Sequence, residues 1–120
     1  MEYTDTRNYS YKPYEEKILG KIASVEFGLD PDRPYLYGLK LSFSAPGFGV
    51  ESGSRYMVDI SPNREDGECA LEAFNYQAEE ISMLLKDAKC KYVSELKNKP
   101  VEIKIVDKVF KDFRILTEVL

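Results

Sequence analysis

The 120-residue sequence predicts a single α+β domain, a five-stranded antiparallel sheet with one long helix between its third and fourth strands. Three observations predict it. Apolar and polar residues alternate in five short runs, the period of a half-buried strand. One run in the second half changes to spacings of three and four, the period of a helix face. Clusters of Gly, Pro, Asn and Asp separate the runs. With 43% hydrophobic and 32% charged residues, the chain has an ordinary globular composition and length enough to fold without disulfides or metal.

Residues 1–14 read as an arm ahead of a domain covering 15–120. Tyr3, Tyr9, Tyr11 and Tyr14 lie there among polar residues without strict periodicity, and Pro13 interrupts them. Such an arm lays its rings on its own sheet or stacks them on a partner. The first strand covers residues 16–27, with Ile18, Leu19, Ile22, Val25 and Phe27, and Gly20 marks a bulge or a sharp bend. A turn with Pro31 and Pro34 follows. Tyr35, Tyr37, Leu39, Leu41, Phe43 and Ala45 form the apolar face of the second strand. Residues 46–54 read as a glycine-rich loop, and Tyr56, Val58 and Ile60 form the third strand.

The helix is expected over residues 68–91. Leu71, Phe74, Ala78, Ile81, Leu85 and Ala88 make its apolar stripe, and Glu72, Asn75, Glu79, Ser82, Lys86 and Lys89 its solvent side. Acids lead it and bases end it, as the helix dipole favours. A short helical turn over 94–98 precedes Pro100. Val101, Ile103 and Ile105 form the fourth strand, residues 107–111 a turn, and Phe113, Ile115, Thr117 and Val119 the fifth. Three strands, a helix and two strands is the order of the OB-fold barrel, so an OB-like barrel stands beside a generic α+β sheet.

No histidine is present, which removes imidazole acid–base chemistry, His-containing metal sites and Ser-His or Cys-His nucleophiles. Cys69 and Cys90, both on the predicted helix, would be about 31 Å apart, too far for a disulfide. Two free thiols fit a reducing cytoplasm. Neither the first twenty residues nor any later run reads as a signal peptide or a membrane span. Residues 47–53 have the spacing GxGxxxG, but a strand follows and Glu51 would repel an anion, so the segment reads as a hairpin loop whose glycines supply positive φ or, alternatively, as a flexible loop that touches a partner, rather than a phosphate site. The turn carboxylates do not match a calcium loop. No enzyme activity and no cofactor are expected.

Charge is polarised along the chain. Residues 51–80 carry eight acids against two bases, a net of −6; residues 81–120 carry nine bases against six acids, a net of +3. Two binding surfaces follow. An acidic patch with its loop, comprising Phe48, Glu51, Glu65, Asp66, Glu68 and Glu72, would complement a basic protein surface. A basic face of Lys97, Lys99, Lys104, Lys108, Lys111 and Arg114 would instead follow the phosphates of a single strand, against an overall net charge of −4.

Residues 20–28 (GKIASVEFG), 32–39 (DRPYLYGL), 92–101 (YVSELKNKPV) and 113–120 (FRILTEVL) together resemble small accessory proteins of phages and mobile elements of gut Firmicutes. The resemblance covers residues 16–120, leaves out the tyrosine arm, and carries no catalytic motif. It implies an anti-defence context, such as anti-CRISPR inhibition. The expectation is therefore a non-catalytic protein of the host cytoplasm that inhibits a host protein, for example a nucleic-acid-binding effector, by direct contact and without a membrane. The alternative is a single-stranded-DNA-binding module of a phage replication set.

Overall fold

The computed structural model describes residues 13–61 and 67–120, with helix side chains from Leu71 onward. Among the described residues six strands form one antiparallel sheet: β1 (Glu15–Leu29), β2 (Leu36–Ala45), β3 (Phe48–Glu51), β4 (Tyr56–Asp59), β5 (Pro100–Val106) and β6 (Val109–Ile115). Helix α1 (Gly67–Asp87) follows β4. Short 3-10 turns at Val93–Leu96 and Thr117–Val119 complete the fold. The α+β class with one helix is as expected. The sheet is open rather than a closed barrel, and the helix follows the fourth strand, not the third.

The extra strand explains the shifted count. After β2, the pair Pro46-Gly47 turns the chain tightly, so residues 48–51 return along β2 and pair Phe48 with Ala45 and Val50 with Phe43. Sequence reading takes these glycines for a loop, yet Phe48 and Val50 alternate with Gly49 and Glu51 as a strand requires. β3 and β4 both pair with the same neighbour, β2, at successive stretches of its length.

β1 is the spine. Its residues 15–21 pair with β5, and its residues 21–29 pair with β2. A bulge at Ala23, the residue skipped between Ile22↔Phe43 and Ser24↔Ser42, changes which parity faces inward. Ile18 and Ile22 face the core before it, Val25 after it, so one strand keeps an apolar face through a bend. Gly20 is not itself the bulge. It is a point of close approach, where a Cβ would press on the Ser44 carbonyl oxygen at 2.5 Å.

The β5–β6 turn has only two residues, Asp107 and Lys108, both with positive φ (50° and 68°). β6 therefore begins at Val109, earlier than the alternation suggests, and ends at Ile115, with a 3-10 turn where sequence continues the strand. A second bulge, at Lys111 between Ile105↔Phe110 and Lys104↔Asp112, puts Phe110 and Phe113 on one face. That slip hides the true start of the strand from a period-two reading.

The two bulges and the natural twist curl the sheet. The Phe43 ring on β2 lies 4.5 Å from Phe113 and 5.7 Å from Phe110, although β1 and β5 separate β2 from β6 within the sheet. The enclosed core comprises Ile22, Leu39, Leu41, Phe43, Tyr56, Leu96, Val101, Ile103 and Ile115, joined by Leu84 and Ala88 from α1.

α1 is shorter than its periodicity suggests. Lys89 takes a left-handed conformation (φ 58°), and the amides of Lys89 and Cys90 bond back to the carbonyls of Lys86 and Leu85, a Schellman stop. The predicted stripe is buried only in its second half: Leu84, beside the predicted line, and Ala88 are buried, while Leu71 is 63% exposed and Phe74 is also exposed. Gln77 takes the buried place between them. Its amide donates to the carbonyls of Tyr37 (3.1 Å) and Tyr56 (2.7 Å), tying α1 to β2 and β4. Gly38 makes that joint possible, since any Cβ there would collide with the Tyr56 carbonyl and the Gln77 amide.

Candidate functional site

The curled sheet leaves several strand stretches unpaired among the described residues, residues 24–29 of β1 on the β5 side included; two gaps frame the candidate site. The first is between β4 and β6, where no backbone ladder forms among the described residues. Arg55, just before β4, spans it. Its guanidinium lies 5.2 Å from both the Tyr56 and Phe113 ring centroids, ion-pairs with Asp112 of β6, and reaches Glu80 of α1 at 3.9 Å. Only about 150 Å³ of open space remains there. Burial pushes the Tyr56 hydroxyl up to about 12, so this side chain stays protonated. Arg55 was not singled out by sequence reading, and an isolated Arg before a strand carries no signal of such a role.

The second gap lies beside the N-terminal half of β1. β2 ends at Ala45, but β1 runs on past it, and residues 15–20 have a paired strand on the β5 side only among the described residues. An edge strand directs alternate backbone amides and carbonyls away from its one partner. The gap opens on the inner side into a recess of about 430 Å³ lined by Glu16, Ile18, Pro46, Phe48, Val50, Ile105 and Lys108. On the outer side it adjoins a shallower depression of about 360 Å³ lined by Leu19, Gly20, Lys21, Ser44, Ala45 and Pro46. Leu19, an apolar strand residue, is 63% exposed beside it. Tyr14 continues the β1 line, exchanging backbone contacts with Asp107: its amide donates to Asp107 Oδ1 (2.9 Å) and its carbonyl accepts from the Asp107 amide (2.8 Å).

Phe48 and Lys108, which the sequence assigns to two competing surfaces, meet in this one recess. The other predicted site residues do not assemble there. Glu51 points from the opposite face of β3 and pairs with Lys40 at 3.6 Å. Glu72 is exposed on α1. Glu65 and Asp66, the Glu68 side chain, and the tyrosines at 3, 9 and 11 lie outside the described residues.

The predicted basic face is divided and partly neutralised. Lys104 pairs with Glu15 at 3.6 Å. Arg114 is held by Glu102 at 3.0 Å and by Glu118 through two bonds of 3.1 and 3.0 Å, and it draws the Glu118 carboxyl below the ordinary range. Lys97 and Lys99 precede β5 while Lys108 and Lys111 follow it, so about 20 Å of strand separates the two pairs. That is not a continuous track for a phosphate chain.

No group of three or more His, Cys, Asp or Glu is placed to hold a metal among the described residues, and no helix among them is long and apolar enough to cross a membrane. Cys90 is half-buried, its thiol donating to the Ala88 carbonyl at 3.4 Å. No family model, no curated protein and no solved structure matches the chain.

Proposed function

We propose that this chain is a non-catalytic binding protein that docks on another protein through the gap beside β1. One observation carries the reading. Of these two gaps, the β4–β6 gap is spanned by Arg55, whereas the gap beside residues 15–20 keeps an apolar recess and an unpaired strand edge side by side among the described residues. Apolar recesses rimmed by polar side chains mark protein contact surfaces. Joined to the sequence resemblance to accessory proteins of phages and mobile elements, the reading is that of an inhibitor that occupies a surface of a host protein, and a defence protein fits that context.

The test uses the full chain, immobilised as wild type and as Phe48→Glu, and a lysate of a Firmicutes host. The expected result is one host protein retained in stoichiometric amount by the wild type and lost from the variant. In parallel, labelled single-stranded DNA is titrated at several salt concentrations. A DNA shift that weakens steeply with salt and is indifferent to Phe48→Glu overturns the docking reading in favour of a nucleic-acid-binding module.

A further inference from the structure

We infer that the gap beside β1 accepts an acidic, extended polypeptide segment, added as a further strand to residues 15–20; the inference rests on the docking reading above. The backbone of the gap is suited to a strand. β1 outruns β2 by six residues, an edge of about 20 Å that is free on this side among the described residues, and alternate amides and carbonyls along it point into the gap. The side chains suit one too. A strand added there turns every second residue inward, where Ile18, Phe48, Val50 and Ile105 form the apolar recess.

Charge selects the kind of segment. Glu15 is already paired with Lys104, but Glu16, Lys17, Lys21 and Lys108 have no ion pair among the described residues. With Asp107, which neighbours Lys108 and accepts the Tyr14 amide, these are two acids against three bases, a local +1 in a chain whose net charge is −4. An acidic segment complements that balance. Lys108 supplies an independent pointer. It occupies the left-handed second position of the two-residue turn (φ 68°), where glycine is favoured, and its side chain lines the recess. A lysine at this position sets an ammonium group at the recess, where it can pair with an acidic residue of an added strand.

The test titrates the full chain, by amide NMR, with a capped nonapeptide alternating valine and aspartate and with its counterpart alternating valine and lysine. The acidic peptide is expected to shift the amides of residues 15–20 and to bind at least about tenfold more tightly than the basic one. N-methylation of alternate peptide amides should abolish binding, because it removes ladder donors while keeping every side chain. Lys108→Gly should keep or raise the melting temperature yet weaken the acidic peptide about tenfold, and Lys108→Arg should restore it. Equal affinity for both peptides, or tolerance of N-methylation, overturns the acidic-strand inference and leaves docking standing. Binding of neither peptide overturns it as well. If a nine-residue oligothymidylate shifts the same amides and the peptides do not, both the inference and the docking reading fall.

Discussion

Between β4 and β6 the missing ladder is replaced by one arginine, whose guanidinium covers two aromatic rings and pairs with carboxylates from β6 and α1. Beside residues 15–20 of β1 the missing ladder has no such replacement among the described residues. The first gap is spanned by a charged side chain; the second, where Glu16 and Lys108 flank Ile18, Phe48, Val50 and Ile105, is left open among the described residues. A gap closed by the chain's own side chains contributes to stability. One left with an apolar recess and a free edge costs stability alone and gains it only with a partner. Substitutions at the first gap should therefore be felt in folding, and substitutions at the second in binding.

The joint beside the spanned gap should be the most sensitive point. Gly38→Val drives a side chain into the Tyr56 carbonyl and the Gln77 amide, separating α1 from β2 and β4, and is expected to cost about 3 kcal/mol or more in a urea titration. Arg55→Ala uncovers Tyr56 and Phe113 and leaves Glu80 and Asp112 without their cation. Since Arg55 is 39% exposed, its ion pairs are discounted for solvent, and a loss of about 2 kcal/mol is expected. A loss below about 0.5 kcal/mol would mean that the β4–β6 gap is held by the core alone.

Phe48→Glu sharpens the contrast from the other side. Phe48 is only half-buried at the mouth of the recess, so the variant should lose no more than about 1 kcal/mol while abolishing partner retention. Equal damage to folding and binding would make the recess part of the core.

The smallest effect concerns the half of β1 that pairs with β2. Its turn into β2 is fixed by Asp30, whose Oδ1 accepts the amides of Asp32 (2.9 Å) and Arg33 (3.2 Å). The Asp32 amide chiefly, helped by Arg33 and Lys40, holds the Asp30 carboxyl below the ordinary range. Because the folded value lies below the unfolded one, the stabilisation is complete above about pH 4 and fades as the pH falls through the folded value. Melting temperatures at pH 7 and pH 3 should differ less in Asp30→Asn than in the wild type.

Much of the fold can be read in the alternation of β2, β5 and the first half of β1, where every second residue faces the core. The bulges at Ala23 and Lys111 cannot, because each shifts the parity by one residue and no local residue type demands it. β3 was hidden by its glycines, which sequence reading takes as loop formers although Phe48 and Val50 alternate there. Gln77 shows a different limit. An amide in an apolar stripe looks like a surface residue until two carbonyls are found beneath it. For the candidate site, sequence places Phe48 and Lys108 on two different surfaces; their meeting depends on the curl of the sheet, as does the opening of Ile18 and Ile105, core residues by pattern, onto a recess.

The central claim is that residues 15–20 of β1 offer an edge that is free on the β2 side among the described residues, while residues 101–104 of β5, paired with both β1 and β6, do not. Amide hydrogen exchange on the full chain measures this directly. The account predicts protection at alternate amides of residues 15–20, with the intervening amides exchanging close to their unprotected rates, and protection throughout residues 101–104. Uniform protection of residues 15–20, equal to that of 101–104, would contradict it.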